Sequence, residues 1–318
     1  MRLWREGFYR CTEVDELEHD GGSEEWPFPR WPGRLARVMA KAGFKQTAED
    51  VTLDLFDRLT RIAGEESNVA SALRFASRMI RKRSSMDAVR RYMDEPWMKR
   101  LLECQEEVAR CGAIPYYLNQ YRGQETSFWL NIPRWIWENR ASFRVGRSLD
   151  IGCAYGTLAL FCRRTFECET YCLDMMTSRE IETLTKKNGM SFVVSNIELD
   201  RFPWDLRFDL MTFTEVLEHL NFNPLPTLRK IREHLDDAGR LYLSTPDAAQ
   251  WGRIKGCPSS WRDLPYPEKG QPLTGGHIYQ YSKDELFQLV DESGFEVDKF
   301  DYAPGAGAQH LNVCLKKA

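Results

Sequence analysis

The run S-L-D-I-G-C-A-Y-G-T-L-A-L, Ser148 to Leu160, constrains this chain more than any other stretch. Leu149 and Ile151 read as a buried strand ending in an acid, Asp150. Gly152, Ala154 and Gly156 make a small-residue turn, and Leu158, Ala159, Leu160 and Phe161 begin an apolar helix. A strand, a tight turn and a helix let a nucleotide-like ligand approach backbone N–H groups at a helix N-terminus, beyond the carboxyl edge of a parallel sheet. A dinucleotide fingerprint needs glycines at its first, third and sixth positions. Here those are Gly152, Ala154 and Thr157, so the spacing does not fit a dinucleotide.

The sequence on either side changes texture near residue 145. From 147 onward strand and helix patterns alternate: strands at 147–151, 169–174, 191–194, 208–214, 239–245, 295–302 and 309–316, and helices near 156–164, 177–187, 224–236 and 282–293. Such alternation predicts a parallel sheet wrapped on both faces, with the last two strands as a reversed hairpin at its edge. Residues 1–145 carry helical periodicity instead, after an acidic and then Pro- and Trp-rich loop from Cys11 to Pro32. Helices are expected over 33–43, 48–63, 66–83, 86–94 and 96–111, with Asp50 and Ser67 near caps and Pro96 in a first turn. Another is expected near 126–140, kinked or broken at Pro133. The expected organisation is thus a helical region, 1–145, ahead of a cofactor-binding domain, 146–318.

Composition narrows the classes. With 42% hydrophobic residues and no bilayer-length apolar run, nothing points to a membrane. The start, M-R-L-W-R-E-G-F-Y-R-C, lacks the apolar core of a signal peptide. A net charge of −3 gives no global pull toward nucleic acid. Nine scattered cysteines read as reduced core residues in a cytoplasmic protein; Cys162, Cys168 and Cys172 form no C-x-x-C pair.

Two further strand ends fit a nucleoside pocket. Asp174 closes the second strand, 22 residues after Gly152, where an acid accepts hydrogen bonds from ribose hydroxyls. Asn196 and Ile197 follow the third strand, where a side-chain amide and a backbone N–H meet an adenine edge. Together with R-F-D-L-M-T-F-T-E-V-L-E-H-L (207–220), L-D-D-A-G-R-L-Y-L-S-T-P-D (235–247) and G-G-H-I-Y-Q-Y-S-K-D-E-L-F-Q-L-V-D-E-S-G-F (275–295), this succession resembles the class I S-adenosylmethionine (SAM) methyltransferases over residues 148–316. The resemblance implies a Rossmann-like, seven-stranded, mostly parallel α/β sheet and SAM as cofactor. It also implies that Asp150, Gly152 and Gly156 line the methionine end, Asp174 the ribose, and Asn196 with Ile197 the adenine. Cys153, Ala154, Met175 and Glu215 complete the implied cofactor set. Ala154 stands where a third glycine is common, which implies tighter sterics there.

Glu215, Glu218 and His219 are spaced i, i+3 and i+4 just past a strand end, so a helix starting at Val216 would turn all three one way. His277, in H-I-Y-Q-Y-S, is a candidate fourth ligand. The pattern is similar to E-x-x-E-H in the ubiquinone-pathway O-methyltransferases and the small-RNA 2′-O-methyltransferases, which implies a divalent metal (Mg, Zn or Fe) at Glu215, Glu218, His219 and His277. Without a metal, His219 or His277 would serve as general base with Glu215 beside it, or proximity to the sulfonium would suffice. Tyr116, Tyr117 and Tyr121, next to Asn119, Gln120, Arg122 and Gly123, suggest a loop lining the substrate. The expected activity is in-line methyl transfer to a hydroxyl of a small-molecule acceptor: a sugar, a phenol or another metabolite. Two alternatives stand beside it. One is RNA 2′-O-methylation, served by the basic stretch 74–100, with nine Arg or Lys against three acids. The other is a non-catalytic SAM-binding regulator.

Overall fold

A computed structural model describes residues 87–318, apart from 113, 255, 306 and 307, together with Leu55 and Leu59. The basic run at 74–83, the caps at Asp50 and Ser67, and the helices expected at 33–43, 48–63 and 66–83 lie outside the described residues, save Leu55 and Leu59.

Seven strands form one sheet: β1 (Arg147–Ile151), β2 (Glu169–Asp174), β3 (Ser191–Val194), β4 (Phe208–Thr214), β5 (Leu235–Pro246), β6 (Phe295–Ala303) and β7 (His310–Lys317). Their order is β3-β2-β1-β4-β5-β7-β6. The first five run parallel, and β7 lies antiparallel to both β5 and β6. The expected reversed hairpin is therefore present, but β7 slots inside and leaves β6 at the edge.

Period-two alternation along the strands divides the core between the two faces. Cys172, Leu210, Tyr242 and Cys314 face α1 (Pro96–Arg110), α3 (Asn131–Asn139), α4 (Thr157–Phe166) and α5 (Arg179–Asn188). Leu149, Ile151, Met211, Leu243 and Val313 face α6 (Pro224–His234) and α8 (Lys283–Glu292); the short α7 (Ala248–Trp251) precedes α8. Local chemistry sets the helix ends. Pro96 occupies the first position of α1, the Ser178 hydroxyl accepts from Ile181 N to start α5, and Gly189 ends it in the left-handed region. Ser282 and Glu285 form a reciprocal capping box on α8.

The helix expected at 126–140 is two helices, α2 (Arg122–Phe128) and α3. The break falls at Trp129 and not at Pro133, which sits in the first turn of α3, where a missing N–H costs nothing. The loop expected around Tyr116–Gly123 is a π-helical turn, Tyr117–Tyr121, running straight into α2. These helices are fastened to the sheet by polar bonds as well as by packing. Asn312, buried on β7, accepts from Asn131 N at 3.3 Å and donates to Phe128 O at 2.9 Å, while Asn139 donates to the Tyr242 hydroxyl at 3.1 Å. Among the described residues no helix is long and apolar enough to cross a membrane.

Asn312→Ala strips both partners from buried backbone groups at the α2–α3 junction. It is expected to destabilise the fold by about 1–3 kcal/mol, read from denaturant unfolding.

Candidate active site

The carboxyl edge of the sheet gathers most of the residues singled out from the sequence. After β1 the chain turns through Gly152, Ala154 and Gly156, all with positive φ (73°, 45° and 79°). A Cβ on Gly152 would sit 2.2 Å from Val216 Cγ2, and one on Gly156 2.6 Å from Ile181 Cδ1, so both positions require glycine twice over. Gly152 N and Cys153 N donate to Leu173 O, and Ala154 N donates to Asp174 Oδ2 at 2.9 Å. The other Asp174 oxygen accepts from Met176 N at 3.0 Å. Asp174 thus joins the two strand-end turns, and burial raises its carboxyl above the ordinary value against these bonds. Met175 beside it is 42% exposed, an apolar side chain left open at this edge.

Asp150 is buried behind the turn. It accepts from Thr212 Oγ1 at 2.6 Å and from Ala159 N, in the first turn of α4, at 3.2 Å. Burial pushes its carboxyl up to about 6. Cys153 is a buried thiol beside Cys172. The Asn196 side-chain oxygen accepts from Glu198 N and Leu199 N, so it caps its own turn. Ile197 is buried in the core. Glu198 in turn accepts from Asn221 N and Phe222 N, and Lys230 Nζ donates to the carbonyls of Ile197 and Asp200, both at 2.7 Å. Sequence reasoning missed this brace because its members are far apart in the chain.

The tyrosines before β1 gather at the same turn. Tyr117 and Tyr121 pack on Tyr155 at 4.6 and 4.9 Å between ring centroids, and Tyr116 lies 6.2 Å from Tyr121. Tyr117 is fully buried, its hydroxyl 3.1 Å from Thr157 Oγ1. It braces the start of α4 and is not an open substrate wall; Tyr116 and Tyr121 keep surface. Beneath them Glu125, also unforeseen, accepts from Gln105 Nε2 at 2.9 Å and from the Tyr117 hydroxyl at 3.4 Å. Burial pushes its carboxyl up to about 8.

Past β4 the expected helix from Val216 is a single 3₁₀ turn, Leu217–His219, and Glu215 is left-handed with φ 54°. The three side chains therefore do not share one helix face. Glu218, His219 and His277 converge, with ligand atoms within 4.8 Å of one another. Glu215 is not one of them; one of its oxygens accepts from Ser244 Oγ at 2.6 Å and the other lies 2.8 Å from His310 Nδ1. Burial works to raise the Glu215 carboxyl, but His310, Ser244 and His277 hold it below its ordinary value. Burial and the neighbouring Glu215 charge raise Glu218 well above the carboxylate range. Thr245 Oγ1 donates to Glu218 Oε2 at 2.9 Å, whereas Glu218 Oε1 is buried without a hydrogen-bond partner among the described residues. His219 Nδ1 is 2.8 Å from Gly276 O. Burial lowers both imidazoles, and that of His277, further lowered by His219, falls to about 4. His310 was invisible in the sequence, where a lone histidine opening a final strand carries no motif.

Residues 119–299, more than half of the chain, match the model of a family described as a methyltransferase domain. No curated protein matches the sequence. Among solved structures, the chain is similar to magnesium protoporphyrin IX methyltransferase from Synechocystis PCC 6803 with bound SAM, at 13% identity over 74% of this chain and 97% of that one, TM-score 0.46. It is similar to a SAM-dependent methyltransferase from Clostridium acetobutylicum, at 13% identity over 59% and 89%, TM-score 0.45. A third is 1,6-didemethyltoxoflavin-N1-methyltransferase from Burkholderia thailandensis, at 20% identity over 57% and 75%, TM-score 0.43. The chain belongs to the methyltransferase-domain family.

Glu125 yields a pH prediction. Its folded value of about 8 lies above the ordinary 4.5, so the stability it confers is complete below the ordinary value and is lost as pH rises through about 8. Glu125→Gln should remove that part of the decline, so that melting temperatures of variant and wild type diverge between pH 5 and 9 in the variant's favour.

Proposed function

We propose that this methyltransferase acts on a hydroxyl oxygen of a small molecule, with Glu218, His219 and His277 holding a divalent cation beside it. The observation that carries the reading is the convergence of these three side chains beyond the carboxyl end of β4. The donor set fits a cation. Glu218 Oε1 is a buried oxygen lacking a hydrogen-bond partner among the described residues, 3.9 Å from His219 Nε2. Two imidazoles and one carboxylate suit zinc or iron better than magnesium, which prefers oxygen. The outer contacts support the same role: Thr245 orients Glu218, and an N–H at His219 Nδ1 bonded to Gly276 O leaves Nε2 as the ligating atom. When bound, such a cation lowers the pKa of a coordinated hydroxyl and fixes its oxygen.

The remaining work falls to the chain. Asp174 keeps lone pairs for the ribose hydroxyls while two backbone N–H groups hold its carboxylate in place. The backbone of the Gly152–Gly156 turn, held open by its glycines, receives the methionine end, and the exposed Met175 offers apolar surface to the adenine, with the backbone of Asn196 and Ile197 at its edge. Tyr116 and Tyr121 cover the same edge from the N-terminal side. Positioning is most of the catalysis, because the sulfonium already carries its leaving group.

Asp174→Ala should weaken S-adenosylhomocysteine binding tenfold or more by calorimetry; unchanged affinity would remove Asp174 from the cofactor site. Elemental analysis of purified protein should find zinc or iron near one atom per chain, and His277→Ala should lower that occupancy. A metal-free, folded wild-type protein that methylates a hydroxyl would sink the cation.

A further inference from the structure

We propose that His310 is a catalytic residue of the acceptor site: its Nε2 accepts a hydrogen bond from the nucleophile of the acceptor and takes its proton during transfer. This rests on the hydroxyl-acceptor reading above and deepens it.

His310 opens β7 and is buried, its ring stacked on Phe128 at 4.1 Å and edge-on to Trp251 at 5.7 Å. The charged and titratable groups around it are Glu215 at the end of β4, Asp247 after β5, and His277 in the loop before α8. Only Glu215 is in direct contact, 2.8 Å from Nδ1. The contact is an ion-pair approach and not an aligned hydrogen bond, yet a carboxylate oxygen this close to a ring nitrogen is attracted only if that nitrogen carries a proton, and a neutral imidazole protonated at Nδ1 keeps a bare lone pair at Nε2. Both ring nitrogens are buried and neither has an aligned hydrogen bond among the described residues, but Nδ1 has Glu215 at ion-pair distance whereas Nε2 has no polar neighbour of that kind. An unpartnered buried polar atom is rare in a folded protein and calls for a specific reason. Here the group that satisfies it must be a donor, an O–H or an N–H.

The surroundings say where the donor comes from. Glu215 has the left-handed backbone of a strained position, and such strain gathers at functional sites. Trp251, 43% exposed, stands over both His310 and His277, at 5.7 and 6.1 Å between ring centroids. An acceptor that packs against the exposed ring of Trp251 is thereby placed next to both, and in the proposed complex it reaches the buried His310. Phe128 covers one face of the His310 ring, so an acceptor is held against Trp251, a surface that suits a flat, aromatic hydroxyl compound.

The step balances as follows. The acceptor oxygen forms a bond to the methyl carbon as the sulfur–methyl bond breaks, and the bonding pair stays on sulfur to give S-adenosylhomocysteine. The hydroxyl proton passes to His310 Nε2, leaving an imidazolium beside the Glu215 carboxylate, and goes to solvent when the product departs.

Long-range proton–nitrogen NMR on the full chain with ¹⁵N-labelled histidine and saturating S-adenosylhomocysteine tests this. His310 is assigned by the signal lost in His310→Gln, a variant expected to bind S-adenosylhomocysteine within twofold of wild type. The expected spectrum has Nδ1 protonated and Nε2 bare. Glu215→Gln should abolish that preference. Phenol, an O–H probe of the proposed shape, should shift the Nε2 resonance, whereas anisole, the same ring with no donor, should not. An Nε2-protonated ring overturns the proposal, as does Nε2 silence toward both phenol and aniline. A response to aniline without one to phenol keeps His310 as the contact and defeats the hydroxyl reading. Absence of metal from the sample defeats the cation alone.

Discussion

Everything at the working edge of this sheet follows from the way β1 hands over to α4. Within five residues the backbone enters the left-handed region at Gly152, Ala154 and Gly156, and two of these have no room for a Cβ. A chain bent this tightly keeps its N–H groups turned toward the sheet edge, and Asp174 seizes one of them at Ala154. That bond fixes the distance between the β1 and β2 ends. The parallel sheet supplies rigid walls, because its central strands are buried on both faces and cannot shift without losing packing on two sides.

A second set of bonds ties the neighbouring loops to this edge. Glu198, in the turn after β3, accepts from two backbone N–H groups at Asn221 and Phe222. Asn221 donates to His219 O and accepts from Thr274 N at 2.6 Å, so one side chain spans the 3₁₀ turn and the loop that bears His277. Glu218 O receives Ile278 N and Tyr279 N from the same loop. A loop with little regular structure of its own is thereby held in a defined position opposite His219.

The backbone architecture was largely legible in the sequence, and the side-chain partnerships were not. Strand limits at 147–151 and 208–214 follow directly from apolar runs closed by acids and turn residues, because burial on both faces leaves a plain hydrophobic signal, and those at 169–174 and 191–194 agree as well. β5 starts four residues before the expected 239, because Asp236, Asp237 and Gly239 have the composition of a turn although Leu235 already pairs with Phe208 across a register shift. Helical spacing misled at Glu215, Glu218 and His219, because a left-handed residue and a 3₁₀ turn replaced the assumed helix. The sequence around Tyr117 has the composition of a loop, and no local rule announces the π-helical turn it forms. Glu125 and His310 meet their partners across 8 and 95 residues of chain, separations at which no spacing argument operates.

The reversal of β7 has a topological consequence. A last strand parallel to its neighbour β5 would deliver its first residue to the opposite rim, among the helix-to-strand connections. Because β7 runs the other way, its opening residue, His310, pairs with Pro246 at the closing end of β5. The last strand of the chain therefore contributes by its beginning and not by its end, bringing a C-terminal side chain beside groups that the first half of the sheet assembled.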